Sequence, residues 1–252
     1  MKKIYILSDA HLGSWAIEHG RTHERRLVSF LNKIKADASA IYFLGDMFDF
    51  WYEFKYAVPK GFTRFLGKVS ELTDCGVEVH FFTGNHDIWC LDYFEKECGM
   101  TIHRKPCLVE MYGKEVYMAH GDEFSSEKGF GILRAIFHNR FLQWMFSMVH
   151  PRWSLWLGHS WARHSMIKHK VKGDTPFLGA DNEDCVKFAK KYLEKHPSVD
   201  CFAFGHRHID EDFPLGDTSR CVFLGDWIGT FAYLVIDEKS IEHKYYIEGE
   251  NE

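Results

Sequence analysis

Five short stretches of the chain combine carboxylates, imidazoles and an amide in a way that suits cation chemistry. They are Asp9 and His11 in SDAH, Asp46 and Asp49 in GDMFDFW, Asn85 and His86 in GNHD, His120 in HGD, and His206 and His208 in GHRH. None of them carries a thiolate. Oxygen and imidazole donors together suit borderline-hard divalent ions such as Mn, Fe or Zn, rather than Ca or a Cys-rich structural zinc. Asp9, His11, Asp46, Asn85, His120, His206 and His208 are too many donors for one tetrahedral ion. They fit two ions that share one carboxylate. Two ions roughly 3.5–4 Å apart can activate water and clamp a phosphoryl group. Such partners would also explain Asp46, because a carboxylate at the mouth of an apolar core needs a counter-charge or it neutralises.

Taken singly, each stretch is weak evidence, since Gly-Asp and Gly-Asn are also turn formers. The elements in front of them carry the argument. Ile4–Leu7, Ile41–Leu44, Val77–Phe82, Glu115–Ala119 and Asp200–Phe204 read as strands, and each delivers one of the five stretches at its end. Thr22–Ala36 has helical spacing, with Leu27, Phe30, Leu31 and Ile34 on one face, and Phe62–Leu72 reads as a second helix ended by Gly76. Strand alternating with helix predicts an α/β sheet with parallel pairing, whose carboxyl-end loops gather on one edge. Thr230–Ile236 and Ile241–Ile247 read as a closing hairpin. The histidines without this context, His19, His23, His80, His103, His196 and His243, are expected to be surface or satisfied polar positions.

The order DxH, GDxxD, GNHD, HGD, GHxH resembles the calcineurin-like metallophosphoesterases over most of the chain. The resemblance implies a two-sheet sandwich flanked by helices, with a binuclear site at the loop edge. It implies one metal held by Asp9, His11, Asp46 and His208, and another held by Asp46, Asn85, His120 and His206. It further implies His86 near the leaving group with Asp49 orienting it, and two divalent ions, Mn first, with Fe or Zn as alternatives. The stretches GDMFDFW, GNHDIW and HGDEFSSEKGFGILRAIFHNRFLQWMF are similar to a branch of the family that hydrolyses a lipid-linked nucleotide diphosphate. That branch commonly carries Arg where this chain has His86, a departure that bears on the substrate and not on the chemistry.

One interval exceeds what a minimal sheet needs. A helical cap insertion is expected at about 124–174 of a single 1–252 domain. Lys128–Gly173 has eight Lys or Arg and no Asp or Glu, so an insert at +8 in a chain of net charge -5 leaves -13 for the rest. Four of the eight Trp lie there: Trp144, Trp153, Trp156 and Trp161. Two apolar stripes, Leu133 to Met148 and Trp153 to Trp161, suggest a helical hairpin, most of whose apolar side chains would pack on the body. Its charge and Trp content suit an anionic lipid or membrane surface, and also RNA. The net charge of -5 argues against a general nucleic-acid partner. By resemblance Arg163, Ser165 and Lys172 are candidate head-group contacts.

Seven scattered cysteines without a CxxC pair point to reduced thiols. The apolar run after Met1-Lys2-Lys3 is too short for a leader, and no stretch spans a bilayer, so the chain is expected to be cytoplasmic, with peripheral contact on the inner face of a membrane. Two other readings stay open: an enzyme on a soluble nucleotide, phosphodiester or phosphoprotein, and a non-catalytic scaffold. The complete donor set weighs against the scaffold.

Overall fold

The computed structural model describes residues 2–126, 129–172 and 176–248, and all of their side chains except those of residues 130 and 165–172. In chain order the elements are β1 (Lys3–Leu7), α1 (Gly20–Ile34), β2 (Ala38–Phe43), α2 (Thr63–Asp74), β3 (Glu78–Phe82), α3 (Tyr93–Cys98), β4 (Thr101–His103), β5 (Cys107–Met111) and β6 (Lys114–Ala119). After these come α4 (Phe130–His138), α5 (Arg140–Ser147), α6 (Pro151–Lys172), α7 (Asp184–Leu193), β7 (Val199–Phe204), β8 (Asp210–Leu215), β9 (Ser219–Leu224), β10 (Ala232–Ile236) and β11 (Ile241–Tyr245).

The strands form two sheets, ordered β11-β10-β1-β2-β3-β4 and β5-β6-β7-β9-β8. The centre of each sheet is parallel; antiparallel strands close both edges of the second sheet and the β10-β11 edge of the first, whose other edge, β4, is parallel. β1 shows why its sequence is apolar throughout. Ile4 and Ile6 face the second sheet and pack with Met118, Ala203 and Val222, whereas Tyr5 and Leu7 face the helices and pack with Phe30 and Leu31 of α1. A strand covered on both faces cannot alternate with polar residues. The spacing of Leu27, Phe30, Leu31 and Ile34 buries one face of α1 on the first sheet, and α7 covers the second sheet with Val186 and Ala189.

The interval between β6 and β7 differs from its expected form. Ahead of α7 it holds three helices, α4, α5 and α6, rather than a hairpin. Asn139 ends the first apolar stripe early, because its Oδ1 accepts the N–H groups of Phe141 and Leu142 and starts a new helix there. The surfaces also differ from expectation. Phe137 of the first stripe does pack on the body, its ring 5.1 Å from that of Trp89, and further contacts come from Phe146, Leu155 and Ala162, set against Phe50, Tyr52 and Trp89. Gly158 lies so close to Phe50 that a Cβ there would fall 2.0 Å from the ring. Phe141, Trp144, Met148, Trp153, Trp156 and Trp161 instead face outward and are exposed. Among the described residues no helix is long and apolar enough to cross a membrane, and all seven cysteines are free.

Candidate metal centre

The parallel strands deliver all five stretches to one edge, and main-chain hydrogen bonds carry the pairing beyond the strands. Asp9 N–H donates to the Gly45 carbonyl (3.1 Å), His11 N–H to Asp46 (2.9 Å) and Gly205 N–H to His120 (2.9 Å). The backbone turns sharply at the donors themselves. Asp9, His11, Asp46, His206 and His208 have φ between +43° and +65°, and they are five of the nine non-glycine residues with positive φ among the described residues. Each such residue costs roughly 1–3 kcal/mol and persists only where the surroundings over-determine it.

The donor atoms converge. Asp9, His11 and His208 form one group, Asp46, His120 and His206 a second, and His11, Asp46 and His86 a third, with the atoms of each group within 4.8 Å of one another. Asp46 contributes to two of them. Its Oδ2 is 3.3 Å from His120 Nε2 and 3.9 Å from His11 Nε2. Asn85 completes the second group, with Oδ1 3.3 Å from His120 Nε2. His11 Nε2 and His208 Nε2 face each other at 3.1 Å.

The ionisation of the cluster follows from its burial. Burial works against charge on Asp9 and Asp46. The surrounding imidazoles outweigh it, His11 and His208 for Asp9, His120 and His86 for Asp46, and hold both carboxyls well below their usual range. Burial likewise opposes charge on His11, but the carboxylates of Asp49, Asp9 and Asp46 push it up to about 10. His206 is pulled down to about 4 by burial and by the neighbouring His120. Asp9 Oδ1 remains buried with no hydrogen-bond partner. A buried ionised oxygen left in this way fits a divalent cation, as does a donor set of carboxylate, imidazole and amide oxygen.

Asp49 differs from expectation. His86 Nδ1 donates to the main-chain carbonyl of Asp49 at 2.6 Å, whereas the Asp49 carboxylate faces His11 Nδ1 at 3.7 Å. One residue thus serves two histidines, whose rings are neighbours with centroids 4.9 Å apart. Arg163 stacks over Trp15, its guanidinium 4.8 Å from the ring. The side chains of Ser165 and Lys172 lie outside the described residues.

Three positioning contacts escape a reading of motifs. Asp87 is buried and ties two donor loops together, its Oδ2 accepting Met47 N–H (2.8 Å) and its Oδ1 accepting Gly84 N–H (2.8 Å). Burial and the nearby Asp46 push its carboxyl up to about 7. His23 Nε2 donates to the Ala10 carbonyl between Asp9 and His11 (2.8 Å). The third contact is that of Asp226, directly after β9, whose Oδ2 lies 3.7 Å from His208 Nδ1; Gly225-Asp226 repeats the pattern of a strand followed by Gly-Asp seen at Gly45-Asp46.

The family model for calcineurin-like phosphoesterases matches residues 2–210. A UDP-2,3-diacylglucosamine hydrolase of Porphyromonas gingivalis strain W83 is 45% identical over 246 residues, covering 93% of this chain and 94% of that protein. A protein of the same name from Aeromonas hydrophila is 30% identical over 224 residues, covering 83% of this chain and 86% of that protein. One from Neisseria gonorrhoeae is 28% identical over 237 residues, covering 93% and 94%.

Proposed function

The chain belongs to the calcineurin-like phosphoesterase family, and on that basis we propose that it is a metal-dependent hydrolase of UDP-2,3-diacylglucosamine, releasing UMP and 2,3-diacylglucosamine 1-phosphate. The chemistry is carried by one observation: buried carboxylates and inward-facing Nε2 atoms converge around Asp9 Oδ1, which accepts no hydrogen bond although His208 Nε2 stands 3.3 Å from it. The choice of substrate is supported by the relative that is 45% identical along nearly its whole length.

In this reading Asp9, His11, Asp46 and His208 hold one divalent cation, and Asp46, Asn85, His120 and His206 hold the other. The absence of thiolate favours Mn, with Fe or Zn as alternatives. Bound cations supply Lewis acidity to phosphoryl oxygens and lower the pKa of water. The chain's own groups do the rest. Because the Asp49 carbonyl only accepts, His86 carries its proton on Nδ1 and turns Nε2 towards the site. With a second proton on Nε2, the ring donates it to the departing phosphate oxygen and is left neutral, with its remaining proton on Nδ1. His86 N–H also donates to Asp46 Oδ1 at 2.8 Å, so the shared carboxylate and the acid–base group are fixed as one unit.

The helices α4–α6 form a cap at about 124–174 over a single domain. Its exposed aromatic face takes acyl chains and rests on an anionic lipid surface, complemented by basic residues of a segment without Asp or Glu of its own, of which Arg134 pairs with Asp122 (2.9 Å). Arg163, with Ser165 and Lys172, contributes head-group contacts. The protein then works at the cytoplasmic face of the inner membrane, with the lipid-linked nucleotide as its partner. The test is UMP release from diacylated and deacylated UDP-glucosamine, with added Mn and with chelator. Activity that survives chelation excludes the metal reading, and equal kcat/KM on both substrates favours a soluble substrate.

A further inference from the structure

The loop after β9 holds a closed turn that the proposed chemistry leaves unused. Gly225 has φ +63°, and a Cβ there would meet Thr230 Oγ1 at 2.5 Å, so the turn closes only on glycine. Asp226 Oδ1 accepts the N–H groups of Ile228 (3.0 Å), Gly229 (2.7 Å) and Thr230 (3.1 Å). The Thr230 hydroxyl accepts Asp226 N–H (2.8 Å) and donates to the Asp226 carbonyl (2.6 Å). One carboxylate oxygen is thus taken up by the turn. The other, Oδ2, faces His208 Nδ1 at 3.7 Å.

The turn is fastened to the candidate centre from both sides. Gly225 N–H donates to the carbonyl of Ile209, next to His208 (2.9 Å), and Trp227 N–H donates to the carbonyl of Asp9 (3.0 Å). Trp227 is fully buried, and its indole N–H donates to the Ala232 carbonyl (2.7 Å). Main chain therefore sets where Asp226 stands relative to Asp9 and His208.

We infer that Asp226 is a positioning residue for His208, holding the proton on Nδ1 so that Nε2 presents its lone pair towards Asp9. His208 Nε2 lies 3.3 Å from Asp9 Oδ1. The same division of nitrogens recurs around the cluster. His120 Nδ1 donates to the Leu44 carbonyl (2.7 Å) and His11 Nδ1 faces Asp49, while the Nε2 of each points inward. A ring anchored through its outer nitrogen offers the inner one in a single tautomer and orientation. His208 is partly exposed, unlike His11 and His120, so packing alone restrains it less. At 3.7 Å the two groups face each other beyond hydrogen-bond length, at the same separation as His11 Nδ1 and Asp49.

The inference rests on His208 being a cation ligand, and the experiment separates the two claims. Asp226→Asn keeps an oxygen for the three N–H groups of the turn but removes the charge facing His208. Thr230→Val disturbs the turn and keeps the carboxylate. Long-range ¹H–¹⁵N NMR of the metal-free protein, at a pH where the ring is neutral, reads the His208 tautomer. Competition with a chelating indicator reads Mn²⁺ affinity. Asp226→Asn is expected to mix the tautomers and to weaken one Mn²⁺ site roughly 10–100-fold, with Thr230→Val within about twofold of the parent on that scale. An unchanged tautomer and affinity in Asp226→Asn overturns the inference, as does equal weakening by Thr230→Val. If His208→Ala binds two Mn²⁺ as tightly as the parent, the metal reading fails and the inference falls with it.

Discussion

Replacing Trp153 and Trp156 together by Ser should weaken binding to anionic vesicles while leaving the metal centre intact. The two residues are 59% and 60% exposed, and their rings meet edge-on with centroids 6.4 Å apart. A Trp side chain buries roughly 150–250 Å² when covered. At this exposure each leaves on the order of 100–150 Å² for a lipid surface to take up, about 2.5–4 kcal/mol at ~25 cal/mol per Å². An interface that covers half of that area gains about 1.2–2 kcal/mol per residue, so the double substitution should cost roughly a hundredfold in partitioning. The assay is co-sedimentation with phosphatidylglycerol-containing vesicles at fixed salt. Turnover of a small soluble phosphodiester in the same preparations monitors the site. Partitioning within a factor of about three of the parent would refute the area argument, and the aromatic face would then need another occupant.

Asp46→Asn should remove both bound metals, because Asp46 faces histidines of both groups, whereas Asp9→Ala should weaken chiefly one; metal analysis after refilling with Mn distinguishes them, and a parent protein that never exceeds one ion rules out two sites. His86→Ala should lower turnover by roughly 10²–10⁴-fold with metal content unchanged; loss of metal would instead identify His86 as a ligand. Asp49→Asn should disturb His11, which its carboxylate faces, and leave the tautomer of His86 in place, because a main-chain carbonyl holds that ring; NMR of the two histidines reads the difference. His11 sits among Asp9, Asp46 and Asp49, so its pKa is raised from 6.5 to about 10 in the folded chain. A histidine raised in this way contributes stability that is fully present below about pH 6.5 and lost as pH rises through about 10. The melting temperature of metal-free protein should therefore fall across that window, while stabilisation by added Mn grows as fewer protons must be displaced; a flat profile for the metal-free protein would contradict it.

The chemistry and its order along the chain were legible in the sequence because they are local. A strand ends where its apolar run meets Gly-Asp or Gly-Asn, and parallel pairing then sends every such end to one edge. Helix α1 and the closing hairpin were legible for the same reason, through periodicity and turn residues. Strand β8 was not. Its sequence DEDFPL is partly exposed at a sheet edge and lacks the apolar run of a covered strand. Which face of the cap meets the body was not legible, because a stripe of Trp and Phe states only that one face is apolar, and Gly158 over Phe50 decides the rest. Side-chain partnership was decided by the tertiary structure alone. GDMFDFW offers two carboxylates to two histidines, and nothing in its spacing tells a side chain from a carbonyl, yet His86 takes the carbonyl of Asp49 and His11 faces its carboxylate. Asp226 lies 18 residues from His208 and reaches its ring only because β8 and β9 fold back between them. Positive φ at five donors has the same origin. No single residue prefers that conformation, and only loops held on every side by neighbouring strands impose it.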